Sequence, residues 1–211
     1  ILDDIDQNKT LSSFLISQKM GEWLVKNTDE NSKAVLKSAF LKNVPVFIPA
    51  MTDSELALDI AVYNRRRVIN GKKPFNYDSF LDLEYYTELI NKQKKIGIFT
   101  IGGGVPRNWA QQVGPYLDAI SRRLPETKNI NKQKFTYALR ICPEPVNWGG
   151  LSGCTYSEGV SWGKFKSEDD GGRYSEVLED ATVVWTLLVK AVIQRLEKAG
   201  IKKVKKNFNL K

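Results

Sequence analysis

Short apolar runs rich in β-branched residues alternate with helical patterns along the chain, and this alternation constrains the fold more than any other feature. Four such runs predict buried strands, at 44–48, 96–101, 135–142 and 174–178. Apolar residues at helical spacing predict helices at 11–26, 32–42, 53–69, 79–95, 106–123 and 181–198, with Thr52 as the N-cap of the third. Uninterrupted apolar strands that alternate with helices are typical of a parallel sheet with helices on both faces. We therefore predict a three-layer α/β fold.

The absence of histidine restricts the chemistry that the chain can perform. It excludes Ser-His-Asp and Cys-His catalysis, and it excludes zinc sites that depend on imidazole. The two cysteines, Cys142 and Cys154, are too few for a disulfide-rich scaffold or a four-thiolate metal site. We therefore predict no metal site, and two reduced thiols are typical of a cytoplasmic protein.

The net charge of +8 is concentrated in two places, residues 64–73 and residues 201–211. Such clusters can bind nucleic acid, and nucleic-acid binding stays an alternative that depends on charge alone. We favour solvated helix ends and a basic tail, because no nucleic-acid-binding motif accompanies the clusters. For this reason we expect no nucleic-acid partner. We also expect no membrane partner, because no apolar run approaches the roughly 20 residues that cross a bilayer.

Three segments follow predicted strands and are candidates for a ligand site, since ligands of parallel sheets bind at the carboxyl ends of the strands. They are PAMTDSE, IGGGVPRNW and residues 143–164. The three glycines at 102–104 precede a helix and allow backbone N–H groups to approach a phosphate. The pattern is incomplete as a dinucleotide motif, because Arg107 occupies the position of the third glycine. Phosphate binding and a tight structural turn both remain open here.

Lys164 lies in the segment SEGVSWGKF, next to Trp162 and near Glu158. A lysine is a nucleophile only when it is neutral, and its ordinary pKa of about 10.4 keeps it protonated near neutral pH. A dry pocket with aromatic walls lowers that pKa and permits imine chemistry. The alternative is an exposed loop lysine without a catalytic role.

Four segments taken in order resemble the deoxyhypusine synthase family, and most closely its bacterial deoxyhypusine-synthase-like branch. They are PVFIPAMTDSEL, IGGGVPRNW, EGVSWGKF and EDATVVWTLLV, and the similarity extends over residues 44–191. The resemblance implies a Rossmann-like α/β fold and a homotetramer with active sites at a dimer interface. It also implies NAD as cofactor and a polyamine substrate, usually spermidine. An aminobutyl group would pass through an imine on a lysine to an acceptor amine.

The resemblance also implies roles for individual residues. It places Lys164 as the imine-forming catalytic lysine. It assigns four residues to the polyamine substrate, namely Glu158, Trp162, Asn108 and Asp59. It assigns six residues to NAD, namely Asp53, Gly102, Gly103, Gly104, Ser152 and Asp180.

The chain departs from the family pattern at polar positions. Asn108 stands where the family has a catalytic histidine, while Trp148 and Leu151 replace two aspartates. The second aspartate after the first segment aligns with either Leu58 or Asp59. Two alternatives therefore remain, a catalytically silent paralogue that acts as a structural or regulatory subunit and a homospermidine synthase-type small-amine transferase. We also expect residues 1–211 to form a single α/β domain that is the C-terminal part of a longer protein.

Overall fold

The computed structural model describes residues 1–201, which divide into two compact units. Unit 1 comprises Ile1–Glu84, and unit 2 begins at Tyr85. The prediction of one domain that forms part of a longer protein stays a prediction. The basic tail lies outside the described residues except for Ile201.

Unit 1 is helical and contains α1 (Ser13–Asn27), α2 (Val35–Leu41) and α3 (Glu55–Ile69), while α4 (Phe80–Asn91) begins at its end. Its core consists of six buried side chains, Ile5, Leu11, Ile16, Met51, Ile60 and Phe75. The buried carboxylate of Asp82 accepts hydrogen bonds from the Ser13 N–H, the Ser13 hydroxyl and the Phe14 N–H. These bonds satisfy N–H groups that the first turn of α1 leaves free, so Asp82 fixes the start of that helix.

The strand predicted at 44–48 is wrong, because this segment forms no ladder in the structure. Pro45 and Pro49 supply no N–H group, and a strand exists only where a neighbouring strand accepts its hydrogen bonds. The Ile48 N–H donates instead to the Ser13 hydroxyl, at 2.7 Å. Thr52 is likewise not the N-cap of α3, since the Ser54 hydroxyl accepts from the Ala57 N–H and the helix begins at Glu55.

Unit 2 contains a parallel sheet of three strands in the order β1 (Ile96–Ile101), β2 (Phe135–Ile141) and β3 (Arg173–Val177). The sequence-based prediction of an α/β fold with a parallel sheet is therefore confirmed. Its helices, besides α4, are α5 (Val105–Gln111), α6 (Val113–Arg123), α7 (Tyr156–Ser161) and α8 (Ala181–Lys198). The helix predicted at 106–123 is thus divided at Gln112, and α7 was not predicted.

Helices lie against both faces of this sheet. On one face, Ile96, Phe135 and Ala138 pack with Val113 and Leu117 of α6 in the core of unit 2. Neighbouring residues of a strand point to opposite faces, and on the other face Phe99 stacks on Trp185 of α8 with ring centroids 5.2 Å apart. None of the helices within residues 1–201 is long and apolar enough to cross a membrane.

Candidate active site

The backbone of Lys164 is held at the amino end of β2. The Phe135 N–H donates to the Lys164 carbonyl oxygen at 3.0 Å, and the Lys166 N–H donates to the Phe135 carbonyl oxygen at the same distance. Helix α7 lies in the sequence between the segment that follows β2 and Lys164. The topological argument, which placed residues 143–164 at the carboxyl ends of the strands, is therefore wrong for the backbone of Lys164.

The side chain of Lys164 meets α5. Its Nζ donates a hydrogen bond to Oδ1 of Asn108 at 2.7 Å, across 56 residues of sequence. None of the ion pairs within residues 1–201 involves Lys164. The partner of the amine is thus a neutral amide, which fixes its position without adding a charge that would stabilise the ammonium form.

Burial lowers the pKa of Lys164 below its ordinary value. The charges of Cys154 and Glu158, when these groups are ionised, raise this pKa, and the charge of Arg107 lowers it. The net direction favours the neutral amine, which is the form that attacks an electrophile. The structure therefore combines a fixed amine with a lowered pKa.

Glu158 and Trp162 are placed by α7. Glu158 lies in its first turn, where the Thr155 hydroxyl caps the helix by accepting from the Glu158 N–H at 3.1 Å. Trp162 follows the last residue of α7, and its side chain is 66% exposed. Glu158 and Trp162 are both exposed and lie within six residues of Lys164 in the sequence.

In the glycine loop, Gly102–Gly104, the absence of a side chain has a different consequence at each of two positions. A Cβ at Gly103 would lie 2.7 Å from the Cα of Ser152, so the absence of a side chain is required by packing within the protein. Gly102 has φ +74° and a Cβ there would have no atom within 4 Å, which leaves open space beside the backbone. Gly104 also has a positive φ, of 80°. The loop thus leaves open space beside the backbone of Gly102, which the approach of a phosphate group to backbone N–H groups requires.

The three aspartates that were predicted as ligands lie in different places. Asp180 is the N-cap of α8, and its Oδ1 accepts from the Thr182 N–H at 2.8 Å and from the Thr182 hydroxyl at 2.6 Å. These hydrogen bonds lower the pKa of Asp180. Asp53 and Asp59 are exposed residues of unit 1, with Asp59 on α3. Unit 2 therefore holds Lys164, Asn108, Glu158, Trp162, Ser152, Asp180 and the glycine loop.

Two buried arginines beside this site were not predicted. Arg107 lies on α5 immediately before Asn108, and Arg140 lies on β2. The sequence carries a signal for Arg140 alone, because a charged residue inside the predicted buried strand FTYALRI is unusual. The aspartate replacements, Trp148 and Leu151, lie in short 3₁₀ turns with exposed side chains.

Comparison with known proteins finds relatives described as probable deoxyhypusine synthases or as a deoxyhypusine synthase-like protein. The probable deoxyhypusine synthase 2 of Methanosarcina mazei is 30% identical over 176 residues, which is 83% of this chain and 46% of that protein. The probable deoxyhypusine synthase 2 of Archaeoglobus fulgidus is 33% identical over 165 residues, 78% of this chain and 48% of that protein. A deoxyhypusine synthase-like protein of Caulobacter vibrioides is 26% identical over 189 residues, covering 90% of this chain and 48% of that protein. The chain therefore spans about half the length of the curated relatives that it matches.

Structural comparison indicates the same fold. A crystal structure of an Entamoeba histolytica protein assigned as a deoxyhypusine synthase superimposes with a TM-score of 0.54 at 17% identity. The match covers 89% of this chain and 49% of that chain. The protein-family model described as deoxyhypusine synthase matches residues 1–192. The chain belongs to the deoxyhypusine synthase family.

Proposed function

We propose that the chain acts in an NAD-dependent transferase that moves an aminobutyl-type group from a polyamine to an acceptor amine through an imine on Lys164. The observation that carries this proposal is the contact between the Lys164 Nζ and the Asn108 Oδ1, which positions an amine of lowered pKa without a carboxylate partner. Membership of a transferase family supports the reaction class.

The step assigned to Lys164 is an exchange of amines at a C=N carbon. The neutral Nζ attacks the carbon of the protonated C=N group and forms a new C–N bond, and one proton then passes from Nζ to the departing nitrogen. The C–N bond to that nitrogen breaks, so a neutral amine leaves and a protonated imine remains on Lys164. An acceptor amine later attacks the Lys164 imine in the same way and releases the lysine. Each exchange needs a neutral attacking nitrogen, so the lowered pKa of Lys164 favours the first.

The other residues of unit 2 bind and orient the reactants. Asn108 holds Nζ in position through its amide oxygen. Glu158 provides a carboxylate for a substrate ammonium group, and the exposed ring of Trp162 provides an apolar and π surface for a polyamine chain.

NAD would be held by the glycine loop, where Gly102 leaves space beside the backbone, with Ser152 and Asp180 nearby in the family pattern. When bound, NAD would accept the hydride that leaves the donor amine and, as NADH, would return it to the carbon of the C=N bond on the acceptor nitrogen, which leaves a saturated C–N bond. The family resemblance assigns Asp53 to the cofactor and Asp59 to the substrate, and these roles stay predictions for two residues of unit 1.

We also propose that the protein acts in the cytoplasm as a homotetramer in which two subunits complete each site. Helix α8 supports an assembly of this kind, because it has no buried residue within the described chain. Leu187 is 71% exposed, and a large uncovered apolar surface on a helix is typical of an interface.

Trapping the imine tests the proposal. The 211-residue chain is incubated with NAD and spermidine or putrescine and is then reduced with borohydride. The masses of its peptides are measured by mass spectrometry. We expect an added alkylamine mass on Lys164 and none on the neighbouring Lys166. The Lys164→Arg variant, which keeps the charge but removes the nucleophile, should give no adduct. An adduct spread evenly over several lysines, or absent from Lys164, contradicts the covalent mechanism.

A silent paralogue with a structural role is the second candidate, and one observation favours it. Asn108 occupies the family's histidine position, and an amide cannot accept a proton as a general base. Under this alternative, the chain assembles with an active relative but forms no adduct on Lys164 with any polyamine. An adduct obtained with the purified chain alone excludes it.

A further inference from the structure

Arg107 and Arg140 form a pair of buried guanidinium groups, 6% and 4% exposed, that converge on the same backbone. Arg107 donates from Nη1 to the Ser152 carbonyl oxygen at 3.2 Å and from Nη2 to the Cys154 carbonyl oxygen at 2.9 Å. Arg140 donates from Nη1 to both of these oxygens. Two carbonyl groups of one short turn are thus held by two arginines from different elements.

Only one of the two arginines is neutralised within the described chain. Nη2 of Arg140 contacts the Glu176 carboxylate on β3 at 2.8 Å. No ion pair within residues 1–201 includes Arg107, and its buried Nε has no hydrogen-bond partner there. Burial and the nearby charge of Arg140 lower the pKa of Arg107. A buried charge without a counter-ion is costly for stability, and such costs concentrate at functional sites.

Arg107, whose buried charge has no ion pair in the described part of the chain, lies next to the residue that contacts Lys164. Arg107 immediately precedes Asn108, which holds the Lys164 Nζ, so both lie on the same turn of α5. The turn that Arg107 holds also packs on the glycine loop, through the approach of Ser152 to Gly103. Arg107 therefore joins the segment 152–154 to the helix that positions Lys164.

We propose that Arg107 is a positioning residue for Lys164. Arg107 holds the segment 152–154 against α5 and places a fixed positive charge near the amine of Lys164. This inference rests on the proposed function, in which Lys164 is the nucleophile. The charge of Arg107 lowers the pKa of Lys164 in addition to burial. Cys154, after the 3₁₀ turn, and Glu158, on α7, are the ionisable groups that act in the opposite direction. Arg107 thus offsets the two acids and keeps the amine neutral over a wider pH range.

Labelling of Lys164 by an aldehyde tests the inference without any turnover. The chain is treated with propanal and cyanoborohydride over a pH series, and the alkylated fraction of Lys164 is measured by peptide mass, with Lys166 as internal reference. Arg107→Gln removes the positive charge, and Arg107→Lys keeps a positive charge on a side chain without the guanidinium group. Circular dichroism establishes that each variant is folded.

We expect Arg107→Gln to shift the labelling midpoint of Lys164 to higher pH and to lower its labelling near neutral pH about three- to tenfold. Arg107→Lys should keep the midpoint of the unsubstituted chain. An unchanged midpoint in folded Arg107→Gln overturns the inference. If Arg107→Gln does not fold, Arg107→Met, which also removes the charge, takes its place: a midpoint at higher pH supports the inference and an unchanged midpoint overturns it.

The proposed function fails in a different way. If Lys164 of the unsubstituted chain labels at the same pH as Lys166, the amine is not activated and the proposed function is contradicted. If Lys164 labels at lower pH than Lys166 in the unsubstituted chain, and its midpoint is the same in folded Arg107→Gln, only the role of Arg107 is refuted and the proposed function stands.

Discussion

Replacing Asn108 with aspartate converts the neutral partner of Lys164 into a charged one of nearly the same shape. The Nζ of Lys164 lies 2.7 Å from the Asn108 Oδ1, so the new carboxylate would form an ion pair with the ammonium form. At this separation Coulomb's law gives about 1.5 kcal/mol in water and about 6 kcal/mol at an effective dielectric constant of roughly 20. Lys164 is partly exposed, and screening brings the effect within the range of about 1–3 pKa units found for close opposite charges.

The expected result is an upward shift in the pKa of Lys164 and at least a tenfold loss of labelling by propanal near neutral pH. The measurement is the pH series with cyanoborohydride reduction and peptide mass, again with Lys166 as reference. Asn108→Leu is the matched control, because it removes the acceptor without adding charge. Its labelling midpoint should stay in place or move to lower pH. If Asn108→Asp leaves the midpoint unchanged, the contact between residues 108 and 164 does not exist in solution and the reasoning is refuted.

Three further substitutions test the local structure of unit 2. Gly103→Ala should lower the free energy of unfolding by about 1–3 kcal/mol, since its Cβ would lie 2.7 Å from the Cα of Ser152; a thermal melt that matches the unsubstituted chain contradicts this packing. Thr155→Ala should cost about 1 kcal/mol through loss of the N-cap of α7, whereas Thr155→Ser should keep the cap, as urea unfolding can show. Leu187→Lys should change the unfolding free energy by less than about 0.5 kcal/mol but reduce self-association in sedimentation experiments, because this side chain is 71% exposed.

The sequence predicted elements best where local pattern and tertiary environment agree. The run 96–101 is apolar except for Thr100, is followed by glycine and forms β1 with the predicted bounds. Helix α8 also has its predicted bounds, because Asp180 caps it and Gly200 follows it. The run 44–48 has an equally apolar composition, yet no neighbouring strand receives its hydrogen bonds. Pairing in a sheet is a tertiary property, and composition alone does not determine it.

The candidate site was predictable in part. The segment SEGVSWGKF identified Lys164 as a lysine of interest, and the structure gives it a lowered pKa. Its contact with Asn108 joins residues 56 positions apart and depends on the packing of α5 near the start of β2. The hydrogen bonds of Arg107 were not predicted for the same reason, since its partners are backbone carbonyl groups that no side-chain motif marks.

Asn108 also determines how the proposed reaction should depend on pH. A histidine at this position would accept protons with an ordinary pKa of about 6.5, whereas an amide accepts none. Deprotonation of the attacking amines must then occur in solvent, and primary amines have ordinary pKa values of about 10.4. The lowered pKa of Lys164 relieves this requirement for the lysine but not for the acceptor amine.

We therefore expect the rate of amine transfer to rise with pH well above neutrality and to show no ascending limb near pH 6.5. Asn108→His should introduce that limb and raise the rate near neutral pH about tenfold or more. The measurement is the pH profile of product formation from spermidine and NAD for both proteins. A profile of the unsubstituted chain that is already flat from about pH 7 upward would show that another group removes the proton. Glu158, whose charge acts on Lys164, is then the residue to replace, and Glu158→Gln should restore the dependence on alkaline pH.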